Sequence, residues 1–138
     1  MSPRRHRRSR RQRTAAPVRS PEVALSLIAD LLDEPRTAEV LCLLLDHTFR
    51  ICAVLVFDGK QTADDVVDIA EAVTQLAHDP TVHAAILVSC RPAEPFARSD
   101  IARWHRIDTL FDESAIDLLD WFVLDQHTAV SVCAASGS

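Results

Sequence analysis

From residue 38 onward the apolar positions change period block by block. AEVLCLLLD at 38–46 and ICAVLVFD at 51–58 are apolar runs of strand length, each closed by an acid, and DHTFR between them suits a hairpin loop. Asp58-Gly59 turns the chain, after which Val66, Ile69, Ala70, Val73, Leu76 and Ala77 recur at helical spacing. That spacing predicts a helix over about 63–78, opened by Thr62 with Asp65 in a carboxylate version of the capping box and ended by Asp79-Pro80. VHAAILVSC is apolar without alternation, as expected of a strand covered on both faces. The proline-containing loop RPAEPFAR leads to Ser99 as N-cap and Asp100 in the first turn of a helix whose buried stripe is Ile101, Trp104, Ile107 and Phe111. IDLLDWFVLD and AVSVC predict two closing strands joined at DQHT. One helix precedes these blocks, with Ser20 as cap, Pro21 at its first position, an apolar side of Val23, Leu27, Ile28, Leu31 and Leu32, and an end near Pro35.

The order α, β, β, α, β, α, β, β predicts an α/β fold with a mixed sheet flanked by helices. A chain of 138 residues, 48% of them hydrophobic, suits a single domain, placed here at residues 20–134 with a short tail at 135–138. Residues 1–19 read differently. They cannot bury apolar surface and repel one another, which predicts a disordered arm.

Charge sharpens this division. Residues 1–20 hold eight arginines and no acid, whereas residues 21–138 hold seven Lys+Arg against twenty Asp+Glu, so the net −5 joins a +8 segment to a −13 body. Asp30, Asp46 and Asp58 interrupt the apolar runs before any reaches membrane-spanning length, which excludes an integral helical membrane protein. The basic start resembles a signal peptide, but VALSLIADLLDE holds acids and lacks a small-residue cleavage site, so a cytoplasmic location is expected. Cys42, Cys52, Cys90 and Cys133 are scattered, with no Cys-x-x-Cys pair, and are expected to be reduced and structural. Arginine outnumbers lysine fourteen to one, a bias that fits a high-GC bacterial genome.

Four stretches in order carry a resemblance: LCLLLDHTFRICAVLVFDG, the helix after it, AAILVSCRPAEPFARSDIARWHRI, and IDLLDWFVLDQHTAVSV. Together, over roughly residues 37–132, they resemble the RadC-like branch of the JAB/MPN (JAMM) metalloprotease fold. The resemblance implies JAB/MPN (cytidine deaminase-like) architecture. In that family two histidines, one residue apart at a strand end, and an aspartate hold zinc, and a glutamate acts as base on the bound water. Here Ser89 and Arg91 occupy the histidine positions. Arg91 is a permanent cation with no acceptor, which repels a divalent ion. The aspartate persists as Asp100, nine residues after Arg91 where the family has eleven, and the serine three before it is Ala97. The base falls near Val54 or Leu55, and the closing Asp-His is Asp120-Trp121.

The resemblance therefore implies the fold and argues against the enzyme. Ser89, Arg91 and Asp100 are expected to be degenerate metal-site positions, with no catalytic residue, no metal and no cofactor, and with Arg91 paired to Asp100 where the ion would sit. Trp121, in the place of a histidine, is expected to plug the vacated cleft. Family members without the metal motif serve as partner-binding subunits, which implies an unidentified protein partner or a second copy of this chain. A rearranged hydrolase site around Cys90, Asp100 and His105 is the enzyme alternative, though Cys90 alternates to the strand face opposite Ser89 and Arg91, and His83 and His105 have no recognised ligand spacing. The other alternative is nucleic-acid binding, in a role related to DNA repair, through Arg4, Arg5, Arg7, Arg8, Arg10, Arg11 and Arg13, which could neutralise several phosphates while the acidic body opposes them.

Overall fold

The computed structural model describes residues 4–8, 17–18, 20–31, 37–59, 62–76 and 79–137. Its elements run β1 (Arg4–Arg8), α1 (Pro21–Leu31), β2 (Glu39–Leu45), β3 (Ile51–Asp58), α2 (Asp65–Leu76), β4 (Ala84–Cys90), α3 (Ser99–Glu113), β5 (Asp117–Leu124), β6 (Ala129–Ser131) and α4 (Val132–Ala135). One sheet joins all the strands in the order β1-β3-β2-β4-β5-β6. Five of them, β2 to β6, belong to the body. Only β4 and β5 run parallel, and α3 is the crossover between them. The fold is thus α/β with a mixed sheet flanked by helices, as the sequence predicts.

The pleat sorts the core into two faces. Ala85 and Leu87 of β4 point to the same side as Cys42, Leu55, Trp121 and Val123, where α2 brings Val66, Ala70 and Val73 and α3 brings Trp104, Ile107 and Phe111. Ile86, Val88 and Cys90 point to the other side with Leu41, Leu43, Val54 and Phe122, under Val18 and Ala24 and Ile28 of α1. β4 is buried at every position, which explains its unbroken apolar run. The helices cover the two faces unequally. Each large side chain fully buried at the α2/α3 side, such as Ile107 or Phe111, contributes about 1.5–3 kcal/mol. Among the described residues α1 reaches the sheet through Ala24 and Ile28, with Leu25 and Leu27 partly buried.

Local signals act as expected in most places. Ser20 Oγ accepts from the Val23 N–H at 3.2 Å, and the Asp65 carboxylate accepts from the Thr62 N–H at 2.8 Å. The β2–β3 loop is organised by Asp46, whose Oδ1 accepts from the Thr48 N–H, the Thr48 hydroxyl and the Arg50 N–H. That turn holds Phe49 at φ 64°, a left-handed conformation that costs an aromatic residue about 1–2 kcal/mol. α3 ends in a Schellman motif: the Ile116 N–H reaches the Phe111 carbonyl, the Ala115 N–H reaches the Asp112 carbonyl, and Ala115 sits at φ 60°.

Three differences have physical reasons. Arg4–Arg8 was expected within a disordered arm, yet it pairs antiparallel with β3, Arg4 opposite Asp58 and Arg8 opposite Val54. An edge strand offers unpaired backbone groups that any extended segment can satisfy, with no apolar side chain required. The rest of the arm through residue 16, with Arg10, Arg11 and Arg13, lies outside the described residues, as do Leu32, Pro35 and the last residue of the expected tail. Ser99 is the first helical residue rather than the cap, because Arg98 takes the cap position without a side-chain bond and Asp100 receives the Ala97 N–H instead. The expected strand AVSVC is a strand only to Ser131, whose Oγ then caps α4 by accepting the Ala134 N–H, so that α4 runs through Ala135 into the expected tail.

Candidate functional site

The C-terminal end of β4 is where an α/β sheet ordinarily opens a ligand crevice beside its parallel neighbour. Here that end is closed. The Arg91 N–H donates to the Leu124 carbonyl at 2.7 Å, extending the β4–β5 pairing one step past the strand. The Arg91 side chain then turns into the protein, 3% exposed, and grips Asp100 with two parallel bonds, Nη1 to Oδ1 at 3.0 Å and Nη2 to Oδ2 at 2.8 Å. Arg91 and Asp100 thus form the ion pair expected from the sequence.

The pair is built into its loop. Nε of Arg91 donates to the Glu94 carbonyl at 3.0 Å and Nη2 to the Pro95 carbonyl at 3.2 Å, so residues 92–98 wrap around the guanidinium. Asp100 also accepts the Ala97 N–H at 2.9 Å and Nη1 of Arg103 at 2.9 Å. Burial pushes the Asp100 carboxyl up, but the bonds from Arg91, Ala97 and Arg103 outweigh it and hold the group below the usual carboxylate range. Arg103 continues the network outward, with Nε to Asp64 at 2.8 Å and Nη1 to the Ser99 hydroxyl at 3.0 Å, tying α3 to the segment before α2. Arg103 was not singled out from the sequence, although its place three residues after Asp100 on a helix is the signal for such a pair. Asp64 carried no comparable signal.

Two residues before Arg91, on the same strand face, Ser89 is buried and its Oγ accepts from Nε1 of Trp121 at 2.9 Å. Trp121 is 0% exposed. The indole fills the α2/α3 side of the sheet beside β4 and spends its one donor on Ser89. The sequence paired Arg91 with Asp100 and put Trp121 near them, but the Ser89–Trp121 bond was not anticipated.

These residues do not fit a zinc ion. Tetrahedral zinc takes imidazole, thiolate or carboxylate donors. The Ser89 oxygen is bonded to an indole, Arg91 has only donors, and the Asp100 oxygens already accept four bonds. Among the described residues no three His, Cys, Asp or Glu side chains group as metal ligands. Cys90, Asp100 and His105 are not brought together either. Cys90 packs on the α1 face, and His105 is exposed on α3 in a shallow groove with Glu71, Arg106, Thr109 and Leu110. The His83 ring packs against the His47 ring, edge to face with centres 5.8 Å apart. Cys42, Cys52, Cys90 and Cys133 form no disulfide, and burial pushes the Cys42 thiol up to about 12, far from a reactive thiolate. No described helix is long and apolar enough to cross a membrane.

A second buried carboxylate lies on the opposite face. Asp120 of β5, 7% exposed, follows a register shift in the β4–β5 ladder that sets Leu118 opposite Ala85 but Asp120 opposite Ile86. Its Oδ1 accepts the Trp121 N–H at 2.8 Å and the Cys133 N–H at 3.3 Å, and its Oδ2 accepts the Ser131 hydroxyl at 2.8 Å. Burial raises this carboxyl above its ordinary value, and those bonds offset the rise only in part. The sequence marked Asp120 only by the family's closing Asp-His.

No family model matches the chain, and no curated protein is similar to it.

Proposed function

We propose that this chain is a catalytically inactive, RadC-like JAB/MPN domain that acts by binding a protein partner. The order of elements over residues 37–132 supports the architecture. What carries the loss of catalysis is the bidentate Arg91–Asp100 pair, because it puts a permanent cation where the resemblance would place a metal ligand and saturates the one acid that persists. The Trp121–Ser89 bond supports the same reading, since an indole and a hydroxyl fill the space beside it. Such a domain keeps the fold as a platform, and its activity lies in what it holds.

Metal content tests this directly. The full chain, dialysed against zinc and then against metal-free buffer, is expected to retain no stoichiometric zinc. One zinc per chain that disappears in Asp100→Asn overturns the proposal and reinstates a hydrolase.

The arm supports a second reading. Seven arginines within residues 4–13 give a sequence-independent affinity for phosphates that falls with salt. Retention on heparin that vanishes when residues 1–16 are deleted is the outcome this reading requires.

A further inference from the structure

The face of the sheet under α1 holds a cavity of about 350 Å3. Its floor is Ile86 of β4 with Leu119 and Phe122 of β5, its roof is Pro21 and Ala24 at the start of α1, and Phe49 closes one side. Phe49 is held there in its left-handed turn by Asp46, and its carbonyl accepts the Val18 N–H at 2.7 Å, which ties the chain before α1 to the rim. Among the described residues Asp120, set opposite Ile86 by the β4–β5 register, is the one charged residue that lines the cavity.

That acid is out of keeping with the rest. Asp120 takes three hydrogen bonds, all from uncharged donors, and among the described residues no cation pairs with it. A carboxylate has about four acceptor positions, so one is left for a further donor. A buried charge is normally matched by an opposite one, as Arg91 matches Asp100 on the other face. Here the missing partner has a space to come from. We propose that the cavity beneath α1 is a binding site for a small organic cation, a protonated amine on an apolar or aromatic body, with Asp120 as its counter-ion. The volume is at the lower end for ligand pockets, which run roughly 300–1,000 Å3, and suits an amine carrying a single ring. The ammonium meets Asp120 while the ring lies among Phe49, Ile86, Leu119 and Phe122, exchanging water for apolar contact. The proposal is independent of the reading given to Arg91 and Asp100, since it concerns the opposite face of the sheet.

Asp120 also anchors the start of α4 through Ser131 and Cys133, so the test must separate binding from anchoring. Asp120→Asn does so. The amide oxygen can accept both N–H groups and the amide nitrogen can donate to Ser131, leaving the fold intact and removing only the charge. The measurement is a titration of the 15N-labelled full chain with 2-phenylethylamine, its neutral analogue 2-phenylethanol, and 3-phenylpropionate. The amine is expected to shift the amides of residues 18–28, 49 and 119–122 and to bind roughly tenfold more tightly than the alcohol. In Asp120→Asn that advantage disappears, and the anion does not bind at all. Ala24→Leu, which fills the cavity without touching the acid, is expected to abolish binding of both amine and alcohol. Equal affinity for amine and alcohol, undiminished amine binding in Asp120→Asn, shifts confined to other residues, or no binding of the amine at millimolar concentration overturns the proposal.

Discussion

The two faces of the sheet each bury one aspartate, and they treat it in opposite ways. On the α2/α3 face Asp100 is enclosed by the Arg91 guanidinium, a backbone N–H and Arg103. Nothing further can approach it, because every acceptor position is taken by the chain itself. On the α1 face Asp120 is held only by neutral donors and borders open volume. The same chemical group is thus a finished structural element in one place and an incomplete pair in the other. Burial alone does not mark a functional carboxylate. What separates the two is whether the opposite charge is supplied from within the chain.

The sharpest way to break this contrast is to remove the internal cation. Arg91→Ala strips Asp100 of its bidentate partner and the 92–98 loop of its centre, leaving an acid with 0% exposure held by Arg103 and the Ala97 N–H. Breaking a buried pair from one side costs about 3–5 kcal/mol, and the loop bonds lost with it push toward the upper end. Urea unfolding of the full chain should show that loss. Arg91→Met combined with Asp100→Leu removes both charges and should recover most of it. A single variant within about 1 kcal/mol of the parent would mean that the pair is solvated and that the two aspartates do not differ in the way described.

Much of this was legible beforehand, and the reasons for success and failure are local. β4 declared itself through a continuous apolar run because both its faces are covered, and α2 through a clean helical period. Arg91 and Asp100 were matched through the resemblance, which set both at the expected metal position. What could not be read was anything set by tertiary register. The shift that places Asp120 opposite Ile86 leaves no mark in DLLDWFVL, a mostly apolar run without alternation to betray it, and the α4 start that Asp120 holds lies in residues whose composition suits a strand equally well. β1 was invisible for a different reason, since arginines carry no strand signal and the pairing depends on the edge that β3 happens to offer. The filled site was accessible through residue types, while the open one needed geometry.

Acid titration sharpens the comparison with a smaller effect. Asp100 is held below the ordinary carboxylate range in the folded state, so the folded form binds its proton less readily than the unfolded chain. The stability it contributes is present in full above about pH 4, the unfolded value, and is lost as the pH falls through the lower folded value. The midpoint of urea unfolding, followed between pH 5 and 2, should therefore fall, and part of that fall should be absent in Asp100→Asn, which starts lower and loses less. An Asp100→Asn profile parallel to the parent's would show that the carboxylate is not what the acid limb reports.

Asp120 has the opposite sign and the smallest expected effect on stability. Its carboxyl is raised in the folded state by burial, with the bonds from Ser131, Trp121 and Cys133 opposing the rise. The folded form therefore holds the proton longer than the unfolded chain, and the favourable contribution, complete below the unfolded value, is lost as the pH rises through the folded one. At neutral pH the charge is a liability that Asp120→Asn removes while its amide can serve the same three partners. The variant is expected to lie within about 1 kcal/mol of the parent at pH 7 and to gain on it as the pH rises from 4 to 7. Asp100→Asn should lose several times more at pH 7, because it leaves Arg91 buried without a counter-charge. Equal losses for the two substitutions would erase the distinction between the faces. The expected inequality means that folding has little need for the Asp120 charge, which is why a role in holding a ligand is the better account of its place on the cavity wall.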